Sequence, residues 1–325
     1  MRAVCVIGLG LIGGSVLRAA VRSGRTGWGA TTSEEDAAAA RAAGYDVAPS
    51  TEEALRRAAE QEALVVIATP LPAVGGVLRR VARHAPETYL TDVVGVQEPV
   101  RELVRELAPT TRYAGGHPMS GTADSGWSAG QAELFDRALW AVTADEGTRL
   151  DSWLEAAALA VDCGSRVVPA GPGEHDAAVA RISHLPHVLS AVLASVGADG
   201  GPLALSLAAG SFRDATRVAG TDPELVRAMT EGNRAALLDA LDDALGRLGA
   251  ARGSLASTGS LNSTVRSGHE ANGNLREQHT AERVSRTVPL NAGHALRRLR
   301  EIGEQGGCVV SLDSESATVE LPAPE

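Results

Sequence analysis

The chain has 325 residues, enough for two or three domains rather than one of ordinary size. Hydrophobic residues make up 44% of it, so a sizeable core is available. The net charge is −10 with no basic block, which argues against nucleic acid or an anionic membrane as partner.

The first residues, from Ala3 to Gly8, form a short apolar run that ends in glycine. They lack the separate charged region of a signal peptide and read as a buried first strand, so a cytoplasmic protein is expected. Gly8-x-Gly10-x-x-Gly13 follows, opening a helical stretch to about Ser23. After a strand, this pattern serves a dinucleotide: Gly8 permits the tight turn, Gly10 lets the backbone approach a pyrophosphate, and Gly13 allows close helix–strand packing. A second strand is predicted near Gly27–Thr31, then helices over about 34–43 and 51–60. The second strand of such a fold often ends in an acid that holds the adenine ribose. Here Thr31 and Thr32 stand at that point. Their hydroxyls suit either a ribose or a 2′-phosphate. No arginine adjoins them, so NAD is favoured and NADP stays open.

Leu64–Ala68 reads as a fully buried parallel strand, and 89–94, 112–116, 138–143 and 166–169 are further strands. Alternation with helices predicts an α/β, doubly wound sheet over residues 1–170. Beyond Gly171 strand signals vanish, and alanine- and leucine-rich stretches at about 173–199, 202–219 and 222–252 predict an all-helical second domain over 171–252. Residues 253–282, rich in Ser, Gly, Asn and His, read as a linker. The tail, 283–325, suggests a short α+β unit: a strand, a helix and two more strands. No apolar run reaches the length of a membrane span, so no membrane segment is expected. Cys5, Cys163 and Cys308 are scattered and read as small core residues.

Several groups carry chemistry. His117 lies in Gly115-Gly116-His117-Pro118-Met119-Ser120-Gly121 after a strand, where it either faces the crevice or makes a structural turn bond. His175, Ser183, His184 and His187 cluster in the helical region. His184 and His187 are three apart on one helix face. Histidines at this spacing can ligate zinc, but no carboxylate or thiolate is placed to complete a site, so zinc ranks below substrate binding and no metal is expected. Arg213 and Arg217 are four apart on a predicted helix, and Arg217 suits an anionic substrate because guanidinium grips a carboxylate with two bonds. There is no lysine in the chain, which excludes a lysine phosphate loop and any Schiff-base mechanism.

Taken in order, Gly8-x-Gly10-Leu11-Ile12-Gly13-Gly14-Ser15, Ala68-Thr69-Pro70, Gly115-Gly116-His117-Pro118-Met119-Ser120-Gly121, Ser183-His184-Leu185-Pro186-His187 and Phe212-Arg213-Asp214-x-Thr216-Arg217 resemble the prephenate/arogenate dehydrogenase family over about residues 1–250. The resemblance implies a Rossmann domain, a helical domain that forms a homodimer, and oxidative decarboxylation of a cyclohexadienyl acid, placing the chain in tyrosine biosynthesis. It implies that His117 is the catalytic histidine, and that Arg217, His175, Ser183, His184 and His187 bind substrate. Gly8, Gly10, Leu11, Ile12, Gly13, Thr31, Thr32, Thr69, Pro70 and Asp92 would bind the cofactor. It also implies that the tail is a shortened form of the regulatory ACT domain that many members carry. One departure stands out. The family pattern Asp-Val-Gly-Ser-Val-Lys reads Asp92-Val93-Val94-Gly95-Val96-Gln97 here, so Gly95 takes the place of a serine beside the catalytic histidine. That admits the 4-amino analogue of prephenate, oxidised by relatives in antibiotic pathways, as an alternative substrate. A β-hydroxyacid dehydrogenase shares the outline but needs a catalytic lysine. A non-catalytic cofactor-binding protein is the remaining rival.

Overall fold

A computed structural model describes residues 1–121 and 124–323. In chain order the first elements are β1 (Val4–Ile7), α1 (Leu11–Arg22), β2 (Gly27–Ala30), α2 (Glu34–Ala42), α3 (Thr51–Glu60) and β3 (Leu64–Ile67). Then come α4 (Leu71–His84), β4 (Tyr89–Asp92), α5 (Glu98–Leu107) and β5 (Arg112–Tyr113). The five strands form one parallel sheet in the order β2-β1-β3-β4-β5. Val4–Ile7 and Leu64–Ile67 are buried at every position, as strands covered by helices on both faces must be. The order reverses between β1 and β3, and a doubly wound sheet opens its ligand crevice at that point, beyond the carboxyl ends of the strands.

The chain then adds β6 (Gly116–Pro118), β7 (Leu139–Thr143), α6 (Leu150–Asp162) and β8 (Arg166–Ala170). A helix of 28 residues, Pro172–Asp199, follows as α7 (Pro172–Val179), a π-turn (Ala180–His184) and α8 (Leu185–Asp199). Pro186 explains the π-turn: it lacks an N–H and its ring clashes with a carbonyl one turn back, so the helix widens just before it. By length and composition this helix could cross a membrane, with an 18-residue window of mean hydropathy 1.3, contrary to the expectation that no segment reaches that length. Only 22% of that window is buried in the single chain.

The helical region continues with α9 (Gly201–Ser206), α10 (Gly210–Thr216), a 3-10 turn (Arg217–Gly220), α11 (Pro223–Gly232), α12 (Arg234–Thr258) and α13 (Asn262–Thr280). The stretch 253–282, expected to be a linker, is therefore mostly helical: α12 runs through its start and is capped by Gly259, which adopts a left-handed φ of 67°. The tail forms β9 (Arg283–Pro289), α14 (Ala295–Glu304), β10 (Cys308–Leu312) and β11 (Ser316–Pro322). It is not separate from the first domain. The second sheet runs β6-β7-β8-β10-β11-β9, with Val309 of β10 opposite Val167 of β8. A Cβ on Gly303 would collide with the Pro169 carbonyl, so α14 lies tightly on β8.

Two compact units result: Met1–Asp176 with Ser285–Leu321, and Ala177–Val284 with the chain end from Pro322. The division between these compact units lies inside α7. All three cysteines are buried, as read from the sequence, and none forms a disulfide among the described residues.

Candidate active site

The glycine turn sits at the switch point. Gly8 has a φ of +103°, and a Cβ there would strike the Ala68 carbonyl of the neighbouring crossover. A Cβ on Gly13 would strike the Gly8 carbonyl. By contrast nothing among the described residues lies within 4 Å of a Cβ built on Gly10, so that side of the turn is open where a pyrophosphate would approach. Leu11 and Ile12 begin α1 beside it. Across the turn, the Thr69 hydroxyl is buried with no hydrogen-bond partner among the described residues, and Pro70 is the N-cap of α4. An open glycine, a bare helix N-terminus and an orphaned hydroxyl fit a dinucleotide's phosphates. Thr31 and the exposed Thr32 follow the end of β2. The Thr31 hydroxyl accepts the Ser33 amide at 3.2 Å, and Ser33 caps α2.

Asp92, at the end of β4, is fully buried. It accepts the Tyr113 hydroxyl at 2.7 Å, the Val94 amide at 2.8 Å and the Gln97 side-chain amide at 3.3 Å. Gln97, also fully buried, stands where the family pattern has lysine. Its amide further donates to the carbonyls of Val94 and Gly116, and its oxygen accepts from Thr143. A neutral hub thus replaces a cation, and burial pushes the Asp92 carboxyl up to about 7 despite its hydrogen bonds. A carboxyl raised in the folded state binds its proton more tightly there. Its contribution to stability is complete below about pH 4 and is lost as pH rises through the folded value. We expect the thermal midpoint to fall from about pH 5 to about pH 8, and the fall to shrink in Asp92→Asn. Equal slopes in the two proteins would assign that dependence to other groups.

His117 lies on β6, between the buried Gly116 and Pro118, and is partly exposed. Its Nδ1 turns inward, 2.9 Å from His175 Nε2. Its Nε2 faces Gly95: a Cβ there would sit 3.6 Å away. His175, on α7, is 5% exposed, with Nδ1 2.8 Å from Asp176 Oδ1. The family resemblance implies a place for His175 in the substrate pocket. Both of its ring nitrogens are instead engaged inside the unit. The sequence assigns Asp176 and Gln97 no role, because the bond between them spans 79 residues and no local pattern announces it.

In the helical unit His184 is 1% exposed, with Nδ1 3.2 Å from the Asn233 side-chain amide, so it is held in the interior of that unit. Ser183 shares the π-turn. α8 packs on the 3-10 turn that begins at Arg217. Burial, aided by the Arg217 guanidinium, pushes His187 below the usual histidine range, while a bond to the Val218 backbone opposes the shift. Arg217 is exposed. Arg213 and Arg217 do not share a helix, since α10 ends at Thr216. Among the described residues no group of three or more His, Cys, Asp or Glu side chains is placed to hold a metal.

A glycine turn at the switch point of a parallel sheet, followed by a helical unit, defines a nucleotide-binding, two-unit protein of the dehydrogenase type. The family models agree: residues 14–169 match the prephenate dehydrogenase nucleotide-binding domain and residues 171–260 its dimerization domain. The chain belongs to the prephenate dehydrogenase family. It is 31% identical over 248 residues to prephenate dehydrogenase of Bacillus subtilis, covering 74% of this chain and 66% of that one. A Corynebacterium glutamicum structure assigned as a prephenate dehydrogenase is 44% identical, with a TM-score of 0.82 over 86% of this chain and 89% of that one. Arogenate dehydrogenase of Synechocystis is 29% identical, with a TM-score of 0.72 over 85% and 99% of the two chains.

Proposed function

We propose that this chain catalyses the NAD-dependent oxidative decarboxylation of prephenate to 4-hydroxyphenylpyruvate. The observation that carries the reading is His117, whose Nδ1 is tied inward while Nε2 faces the gap at Gly95. The bound nicotinamide supplies the hydride acceptor. Hydride leaves ring C4 while the C1 carboxylate departs as CO2, and the electron pair of that C–C bond completes the aromatic ring. His117 Nε2 accepts the hydrogen bond of the 4-hydroxyl as positive charge grows at C4. Arg217 grips a substrate carboxylate, with Ser183, His184 and His187 shaping the same unit's face. NAD is favoured over NADP because Glu34, Glu35 and Asp36 follow Thr31 and Thr32 and would repel a 2′-phosphate. The protein acts in the cytoplasm as a homodimer. Its helical unit exposes Ile182, Val192 and Val196 by 68%, 56% and 64%, an apolar face that a second copy would cover, as the dimerization-domain match supports.

Gly95 favours a second reading. A Cβ at 3.6 Å from His117 Nε2 is in ordinary contact, so a serine would fit there and bond the same hydroxyl. Its absence leaves room for a 4-amino group, a stronger electron donor that needs less polarisation. The Synechocystis relative's name adds arogenate as a third form. The test is kcat/KM for prephenate, arogenate and 4-amino-4-deoxyprephenate, in wild type and Gly95→Ser. Prephenate should lead, and the serine should move selectivity further toward the 4-hydroxyl substrates. A wild-type preference for the amino substrate would replace the first reading with the second. A serine variant with unchanged ratios would show that Gly95 plays no part in selectivity.

A further inference from the structure

We infer that Asp176 and His175 form a positioning relay that fixes the tautomer of His117; this rests on the reading of His117 as proton acceptor. The chain of bonds is short and directional. Asp176 reaches from α7 to the N-terminus of α5, where its two oxygens accept the amides of Gln97 at 2.8 Å and Glu98 at 2.9 Å. Its oxygens are thereby committed as acceptors. Oδ1 also meets His175 Nδ1 at 2.8 Å, so that nitrogen must bring the proton. A neutral His175 then has a bare Nε2, and the 2.9 Å contact with His117 requires the hydrogen to sit on His117 Nδ1. His117 Nε2, at the Gly95 gap, is left as the acceptor of its ring.

The carboxylate is needed for this outcome. A neutral imidazole in water favours the proton on Nε2. Without Asp176, His175 would revert to that form, donate to His117 Nδ1, and turn His117 Nε2 into a donor. That is the wrong polarity for drawing a hydroxyl proton from substrate. Burial strengthens the bias: His175 and Asp176 are 5% and 3% exposed, so water competes little for either. His175 thus acts through His117 rather than on substrate.

Imidazole-labelled protein examined by two-dimensional nitrogen–proton NMR reads the tautomer directly, without any substrate. Wild-type His117 should carry its proton on Nδ1. Asp176→Ala should move it to Nε2 and lower kcat on the order of 100-fold or more, leaving NAD affinity unchanged. Because Asp176 also caps α5, His175→Phe provides a variant that keeps that cap, and should show the same loss. His175→Gln, whose amide can accept from His117 and donate to Asp176, should keep the Nδ1 proton and restore kcat to within about tenfold of wild type. An Nε2 proton on wild-type His117 would overturn the relay. So would an unchanged tautomer and kcat in both Asp176→Ala and His175→Phe. If the tautomers behave as stated but no cyclohexadienyl acid is turned over, the relay stands and the proposed reaction fails.

Discussion

His117→Asn should lower kcat by about 10²–10⁴-fold, the usual worth of general acid–base assistance, while NAD affinity stays near wild type. The substitution isolates one nitrogen. An asparagine amide can occupy the place of Nδ1 and still donate toward His175 Nε2, so the buried relay keeps its bond. What disappears is Nε2 at the Gly95 gap, the atom assigned to the substrate hydroxyl. The glycine turn lies at the ends of β1 and β3, apart from β6, so cofactor binding has no reason to change. Steady-state kinetics with a separate NAD titration distinguishes the two effects. Near-normal kcat would remove His117 from the chemistry.

Arg217→Ala should raise KM for substrate by about 10- to 100-fold, since a charge-assisted hydrogen bond contributes about 1.5–3 kcal/mol. Arg217 is exposed, begins a 3-10 turn at the end of α10, and acts electrostatically on His187. An exposed guanidinium adds little to folding, so the melting temperature should hold. A normal KM with a lowered melting temperature would make Arg217 a structural residue.

The glycine turn was legible because local sterics dictate it: Gly8 and Gly13 occupy positions where a side chain would meet backbone, and the turn falls between a fully apolar run and a helix. The alternation of strands and helices was legible for a similar reason, since the hydrophobic period reports local geometry. What failed depends on distant partners. The tail's strands were visible, but their pairing with β8 joins Val309 to Val167 and has no local signature. Residues 253–282 look like a linker because Ser, Gly and Asn are poor helix formers. The polar α13, with no buried residue in the single chain, nevertheless forms a continuous helix. At the site, motif spacing pointed to His117 and His175 separately. Only the fold shows that one ring nitrogen faces the other and that Asp176 stands behind both.

The most direct test of the central claim is the stoichiometry of a single reaction: purified protein with prephenate and NAD, followed for NADH, CO2 and 4-hydroxyphenylpyruvate together. All three should form in equal amounts, dependent on His117. NADH formed without CO2, or no turnover with prephenate, arogenate or the 4-amino analogue, would contradict it.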